Sequence, residues 1–221
     1  MKKYFDLFAA CRLFDGFSPE ELSKIAEHLS PTERAFQKGE YIYQYGEPIT
    51  TVGLLLAGRG HILKEDYWGN RAILAEISAG ELFGEAYACF GEQKLMVSVQ
   101  AAEACSVLFF DTRTLLDSCA EDCGFHHRII RNLIGVLAEK NIRLTEKIEY
   151  MSRKRLRDKI LSYLSDAAKK QGGLEFTIPF NRQELADYLS VDRSALSSEL
   201  CRLRDEKLLD FHRNHFRLFL Q

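Results

Sequence analysis

Residues 181–206 carry the side chains best suited to chemistry with a polyanion. Asn181 can cap a helix, with Glu184 closing a capping box. Leu185, Ala186 and Leu189 form that helix's buried face. A tight turn through Ser190-Val191 leads to Asp192, a second N-cap, and the next helix buries Leu196, Leu200 and Leu203. The small Ala186 lets the two helices cross closely, and two short capped helices at this spacing make a helix-turn-helix. The second helix would bring Arg193, Ser194, Ser197 and Ser198 to base edges in the major groove. Arg182 and the N-terminal amides of the helices would hold phosphates. Gln183, Asp192, Arg202 and Arg213 complete the candidate DNA-binding set. Leu208 to Phe219 reads as a β-hairpin turning at Arg213-Asn214, the wing of a winged helix with a basic tip.

A second group is Cys119, Cys123 and His126, next to His127. The two thiolates would share one helical face and, with an imidazole, could bind zinc or iron. The spacing matches no zinc signature and offers no fourth ligand, so small apolar packing residues are the competing reading. The six cysteines include no Cys-x2-Cys pair and point to reduced thiols. Cys105, in a strand, and Cys201, on the second helix, read as packing residues. No nucleophile–base pair, phosphate loop or complete metal site can be assembled; Glu85 and His61 are the only acid–base candidates. The chain does not read as an enzyme.

The elements that position these residues follow from composition and period. With 46% hydrophobic, 28% charged and 11% aromatic residues, the chain is neither disordered nor a small disulfide scaffold. No apolar run approaches the ~18–20 residues of a membrane span, and Asp6 falls too early for a signal-peptide core; a cytoplasmic protein is expected. Residues 1–150 contain 16 Lys+Arg against 22 Asp+Glu, whereas residues 151–221 contain 14 against 10. The basic C-terminal third suits a polyanionic partner. Ser18, Pro19 and Glu21 open a helix over residues 18–30. From Phe36 to Asp111, short apolar runs alternate with glycine turns, including Trp68-Gly69-Asn70-Arg71, as in an antiparallel barrel or sandwich.

From Phe125 to Met151 the period becomes helical. Ile130, Ile134, Leu137, Asn141, Leu144, Ile148 and Met151 are spaced by alternating fours and threes. Isoleucine at a, leucine at d and one asparagine at a favour a parallel two-stranded coil, hence a homodimer. The expected fold class is α+β, with a sensor over residues 1–124, a dimerisation helix over 125–151 and a winged-helix domain over 152–221.

With these features the chain resembles the catabolite-activator and fumarate–nitrate regulator (Crp/Fnr) family of transcription factors over essentially its whole length. The resemblance rests on Leu13-Phe14-Asp15-Gly16-Phe17-Ser18, Lys38-Gly39-Glu40 and the turn glycines Gly46, Gly58, Gly69, Gly80 and Gly84. It also rests on Gly80-Glu81-Leu82-Phe83-Gly84-Glu85, Ser98-Val99-Gln100-Ala101 and Gln183-Glu184-Leu185-Ala186. It implies a cyclic-nucleotide-binding-like β-roll (a double-stranded β-helix or jelly roll), a long dimerisation helix and a C-terminal winged helix. The partners it implies are double-stranded DNA with an inverted-repeat operator, RNA polymerase and a small-molecule effector, with no membrane.

In nucleotide-binding relatives the cassette pairs a Gly-Glu, whose acid binds the ribose, with a later Arg-Ser or Arg-Thr that holds the cyclic phosphate. Here Gly84 and Glu85 match, but Leu95 and Met96, followed by Val97, stand where Arg and Ser belong. Each lost charged hydrogen bond costs ~1.5–3 kcal/mol, and the neighbouring Lys94 does not replace a bidentate arginine. Cyclic AMP is therefore disfavoured. Lys140 and Asn141 fall near where the long helix would touch the ligand, with Asn141 already claimed by the seam; an apolar cassette beside a lysine and Tyr87 would suit a small hydrophobic or aromatic acid. A metal- or redox-responsive regulator through Cys119 and Cys123, a cyclic-nucleotide regulator and a ligand-free scaffold are the alternatives. No iron–sulfur cluster is expected, since only Cys11 lies in the N-terminal region that holds it in relatives. Relatives also carry a Glu where Ser194 stands and an Arg where Ser198 stands, so their operators do not transfer. Two-fold symmetry predicts half-sites about 10–10.5 bp apart.

Overall fold

The computed structural model describes residues 8, 11–91, 93–116 and 125–219. Its contacts divide into two compact units, Met1–Glu65 with Leu74–Asn141, and Asp66–Ile73 with Ile142–Gln221. The architecture is α+β, as the sequence implies.

In the first unit a 3-10 turn (Arg12–Phe14) precedes α1 (Pro19–Leu29), whose N-cap Ser18 and N3 residue Glu21 form a reciprocal capping box with Pro19 in the first turn. Eight strands follow: β1 (Thr32–Phe36), β2 (Tyr41–Tyr43), β3 (Thr51–Ala57), β4 (Arg59–Glu65), β5 (Arg71–Ser78), β6 (Leu82–Phe83), β7 (Ser98–Ala101) and β8 (Cys105–Asp111). They form two four-stranded sheets, β1-β8-β3-β6 and β2-β7-β4-β5. In the first, Phe36 pairs with Cys105 and Val52 with Phe110; in the second, Ile62 pairs with Val99. Phe14, Leu54, Phe83, Val107 and Phe110 fill the core. A Cβ on Gly53 would stand 2.3 Å from the Phe83 ring, so only glycine admits that ring. The β4–β5 turn is knotted by Asp66, whose carboxylate accepts from the Trp68 amide and from the backbone and side chain of Asn70. A short helix, α2 (Glu85–Phe90), lies between β6 and β7, and another, α3 (Thr112–Leu116), follows β8.

The long helix α4 (His126–Met151) runs through both units. Its inner face buries Ile129, Leu133 and Val136 in the first core. Asn132 donates to the Leu13 and Asp15 carbonyls, and the Arg128 guanidinium covers the Phe17 ring.

The second unit contains α5 (Leu156–Gln171), β9 (Glu175–Thr177), α6 (Arg182–Leu189), α7 (Arg193–Asp205), β10 (Leu209–His212) and β11 (His215–Leu218). Gly172, in the left-handed region, stops α5. Leu164, Leu185, Leu196, Leu200 and Phe216 make its core. The hairpin wing carries a third strand: β9 joins β11 with Phe176 opposite Phe216. Cys105 is buried, but Cys201 is exposed, which corrects its reading as a packing residue. The helical period that buries Leu200 and Leu203 turns Cys201 outward.

Candidate nucleic-acid interface and sensor site

The helix-turn-helix forms as its caps dictate. Asn181 accepts from the Glu184 amide while Glu184 reaches back to the Asn181 amide. Ser190 supplies a left-handed turn residue, and Asp192 accepts from the Ala195 amide to start α7. Ala186 is fully buried between the two helices. The Ser194 hydroxyl also donates to Asp192; that bond and the Ala195 amide hold the Asp192 carboxyl below the usual carboxylate range.

Arg193, Ser194, Ser198 and Arg202 stand exposed on α7, with Ser197 half-buried. A Glu199 carboxylate oxygen lies 3.4 Å from Arg202. Gln183 is exposed but donates along α6 to Asp187. Arg213, exposed, occupies the left-handed turn of the wing at φ 57°. Arg182, expected to hold phosphate, is half-buried beside the wing. Its guanidinium lies 4.9 Å from the Phe211 ring centroid and 3.3 Å from the Arg213 carbonyl it donates to. Burial there lowers its pKa from the usual arginine range.

In the sensor, Gly84 takes φ 82° and leads into α2; a Cβ there would lie 2.9 Å from the Tyr43 ring. Glu85 is 3% exposed. Its Oε1 accepts from Lys140 Nζ at 2.7 Å, and the same ammonium donates to the Leu82 carbonyl at 2.6 Å. Glu85 Oε2 is buried with no hydrogen-bond partner among the described residues. Burial pushes the nearby Tyr43 phenol up, and that phenol bonds to Thr51. This pair engages Lys140, the cation expected to meet an anionic effector. Leu95 is 1% exposed and packs in the core. Met96 and Lys94 face solvent, while Tyr87 and Val97 are half-buried against the core.

The predicted dimer seam divides. Ile134, Leu144 and Ile148 are exposed, as is Asn141, whereas Leu137 packs against the first core and Met151 against the second. Ile130 is half-buried. The metal candidates Cys119 and Cys123 lie outside the described residues. His126 is buried, stacked on Phe125 and edge-on to His28, and among the described residues no cluster of three or more His, Cys, Asp or Glu is placed to hold a metal. His61 is buried with Nε2 4.0 Å from Glu76. The sequence carries no local signal for Lys147 or the tyrosines around it. No helix among the described residues is long and apolar enough to cross a membrane.

An eight-stranded roll with a buried acid, followed along the chain by a long helix, a capped helix-turn-helix and a wing, is the layout of a DNA-binding regulator. Residues 33–122 match the cyclic nucleotide-binding domain family and residues 154–219 the Crp-like helix-turn-helix domain family. The chain belongs to the Crp/Fnr family of transcriptional regulators, and it is not an enzyme. It is 21% identical over 196 residues to the CRP-like cAMP-activated global transcriptional regulator of Mycobacterium tuberculosis, covering 88% of this chain and 86% of that one. It is 20% identical to the electron transport regulator A of Shewanella oneidensis, covering 86% and 74%. The fold is similar to that of the c-di-GMP responsive global regulator CLP of Xanthomonas campestris, with a TM-score of 0.75 at 18% identity, covering 92% of this chain and 100% of that one. It is also similar to a CooA variant from Carboxydothermus hydrogenoformans, with a TM-score of 0.72 at 20% identity, covering 92% and 87%.

Proposed function

We propose that the protein is a homodimeric transcriptional regulator that binds an inverted-repeat operator, works with RNA polymerase, and responds to a small effector other than a cyclic nucleotide. The observation that carries the effector reading is Leu95, buried in the core at the position where relatives place the phosphate-binding arginine. A cyclic phosphate there would meet a buried leucine in place of the arginine, and Lys140 is already paired with Glu85. The unpartnered Glu85 Oε2 favours an effector that offers a hydrogen-bond donor rather than a second anion. The exposed Ile134, Leu144 and Ile148 support dimerisation, since apolar side chains in a helical row are covered in coiled coils. The exposed face of α7 supports readout in the major groove.

Native mass spectrometry combined with calorimetry tests this reading. The expected result is a dimer, with no heat on adding cyclic AMP and a linear loss of duplex affinity with log salt. Tight cyclic-AMP binding would overturn the effector reading, and a monomer would overturn the dimer.

A further inference from the structure

Lys147 stands on α4 seven residues after Lys140, in the stretch that belongs to the second unit. Its ammonium donates to the Ile73 carbonyl at 2.6 Å and lies 3.8 Å from the centroid of the Tyr188 ring. Ile73 is the last residue of the hairpin segment that clusters with the second unit, and its side chain is buried in that core. Tyr188 is in α6, the first helix of the helix-turn-helix. The Tyr188 hydroxyl bonds to that of Tyr150 on α4 at 2.6 Å, and Phe180 stacks on its ring at 4.6 Å.

Desolvating an ammonium is costly, and a methionine would fill the same space without a charge. What the ammonium adds is direction: a carbonyl oxygen on one side and an aromatic face on the other can both be satisfied at one position of the helix. Aromatic packing around Tyr188 tolerates sliding, whereas a hydrogen bond to a fixed carbonyl does not.

We infer that Lys147 is a positioning residue for DNA recognition, holding Tyr188 and the Ile73 carbonyl together so that α6, and with it α7, takes one place on α4. The inference rests on the homodimer reading, because in a two-fold dimer the place of α7 on each α4 sets the distance between half-sites.

The test uses the full-length protein and an operator selected by the wild type from random duplex, compared with the same operator lengthened by one base pair at its centre. The wild type should prefer the original by about tenfold or more. K147M should reduce that preference to about threefold or less, with its random-duplex affinity and helical circular dichroism retained. K147R, which keeps the cation, should preserve the preference, and Y188L should lose it as K147M does. An unchanged preference in K147M, with or without an equal loss on both operators, would overturn the inference. Should K147M lose its helical signal, K147L, which likewise removes both the donor and the charge, carries the same test. A wild type that is monomeric by mass removes the homodimer reading and the inference with it, whereas a dimeric wild type without any spacing preference overturns the inference alone.

Discussion

Lys140 on the long helix donates to Glu85 in the sensor cassette at 2.7 Å, so the sensor's buried acid and the helix that bears the exposed apolar row share one ion pair. Removing one partner of a buried pair leaves an uncompensated charge, costing ~3–5 kcal/mol where burial is complete. The Lys140 side chain retains 29% exposure, so a smaller loss of ~1–3 kcal/mol is expected for K140M in urea denaturation. E85Q combined with K140M should lose less than the two single losses added together. Strict additivity would show that the two groups do not support each other.

Arg193 is the most N-terminal side chain of α7 and is exposed. R193A should weaken operator binding by ~1–3 kcal/mol if the guanidinium reads a base. The comparison is with random duplex at the same salt. An equal loss on both would make Arg193 a phosphate contact, and specificity would then rest on the α7 serines.

Leu95 determines whether a phosphate site of the kind its nucleotide-binding relatives carry could be built here. Its backbone is tied on both sides, accepting from the Gly46 amide and donating to the Glu47 carbonyl, while its side chain is in the core. L95R with M96S would therefore bury a guanidinium among apolar groups, at a cost of several kcal/mol. The expected result is a lowered melting temperature and no calorimetric response to cyclic AMP. A stable double variant that binds cyclic AMP would show that the core at residue 95 opens into a preserved cavity.

The helix-turn-helix was legible because its signals are local: Asn181, Glu184 and Asp192 announce two helix starts, and Leu196, Leu200 and Leu203 keep one period. The capped helix at Ser18 was legible for the same reason. Strand β1 was missed because four of its five residues are exposed and show no alternation; pairing with β8, far along the chain, is what makes it a strand. Helix α2 was missed because its six residues follow a glycine turn and lack a helical apolar stripe. The pairs Lys140 with Glu85 and Lys147 with Tyr188 were illegible for a different reason: a lysine on a helix reads as a solvated face until tertiary structure brings an acid or a ring to it.

Burial lowers the Lys147 pKa from 10.5 to about 8. Between those values the unfolded chain binds more protons than the folded one, so stability from this group rises with pH across the window. Below about pH 8 both states are protonated and the contribution is flat. The unfolding free energy of wild type minus that of K147M should therefore grow between about pH 7.5 and 9.5. A flat difference would show that the Ile73 carbonyl and the Tyr188 ring hold the charge as strongly as burial disfavours it.

Asn141 sits at the centre of the exposed row, between Ile134 and Ile148, and is itself exposed. If two copies of α4 pair in parallel, the asparagines face each other at an a position, where a polar pair fixes register and partner number at some cost in stability. N141L replaces that pair with apolar surface. Sedimentation should show either a dimer that dissociates at lower concentration than the wild type or a shift to a trimer or tetramer. Because the leucine also lengthens a continuous apolar row from Ile134 through Leu144 to Ile148, the higher oligomer would carry mispaired winged helices and lose operator affinity. A variant indistinguishable from the wild type in both sedimentation and DNA binding would place the dimer seam on another face of the helix.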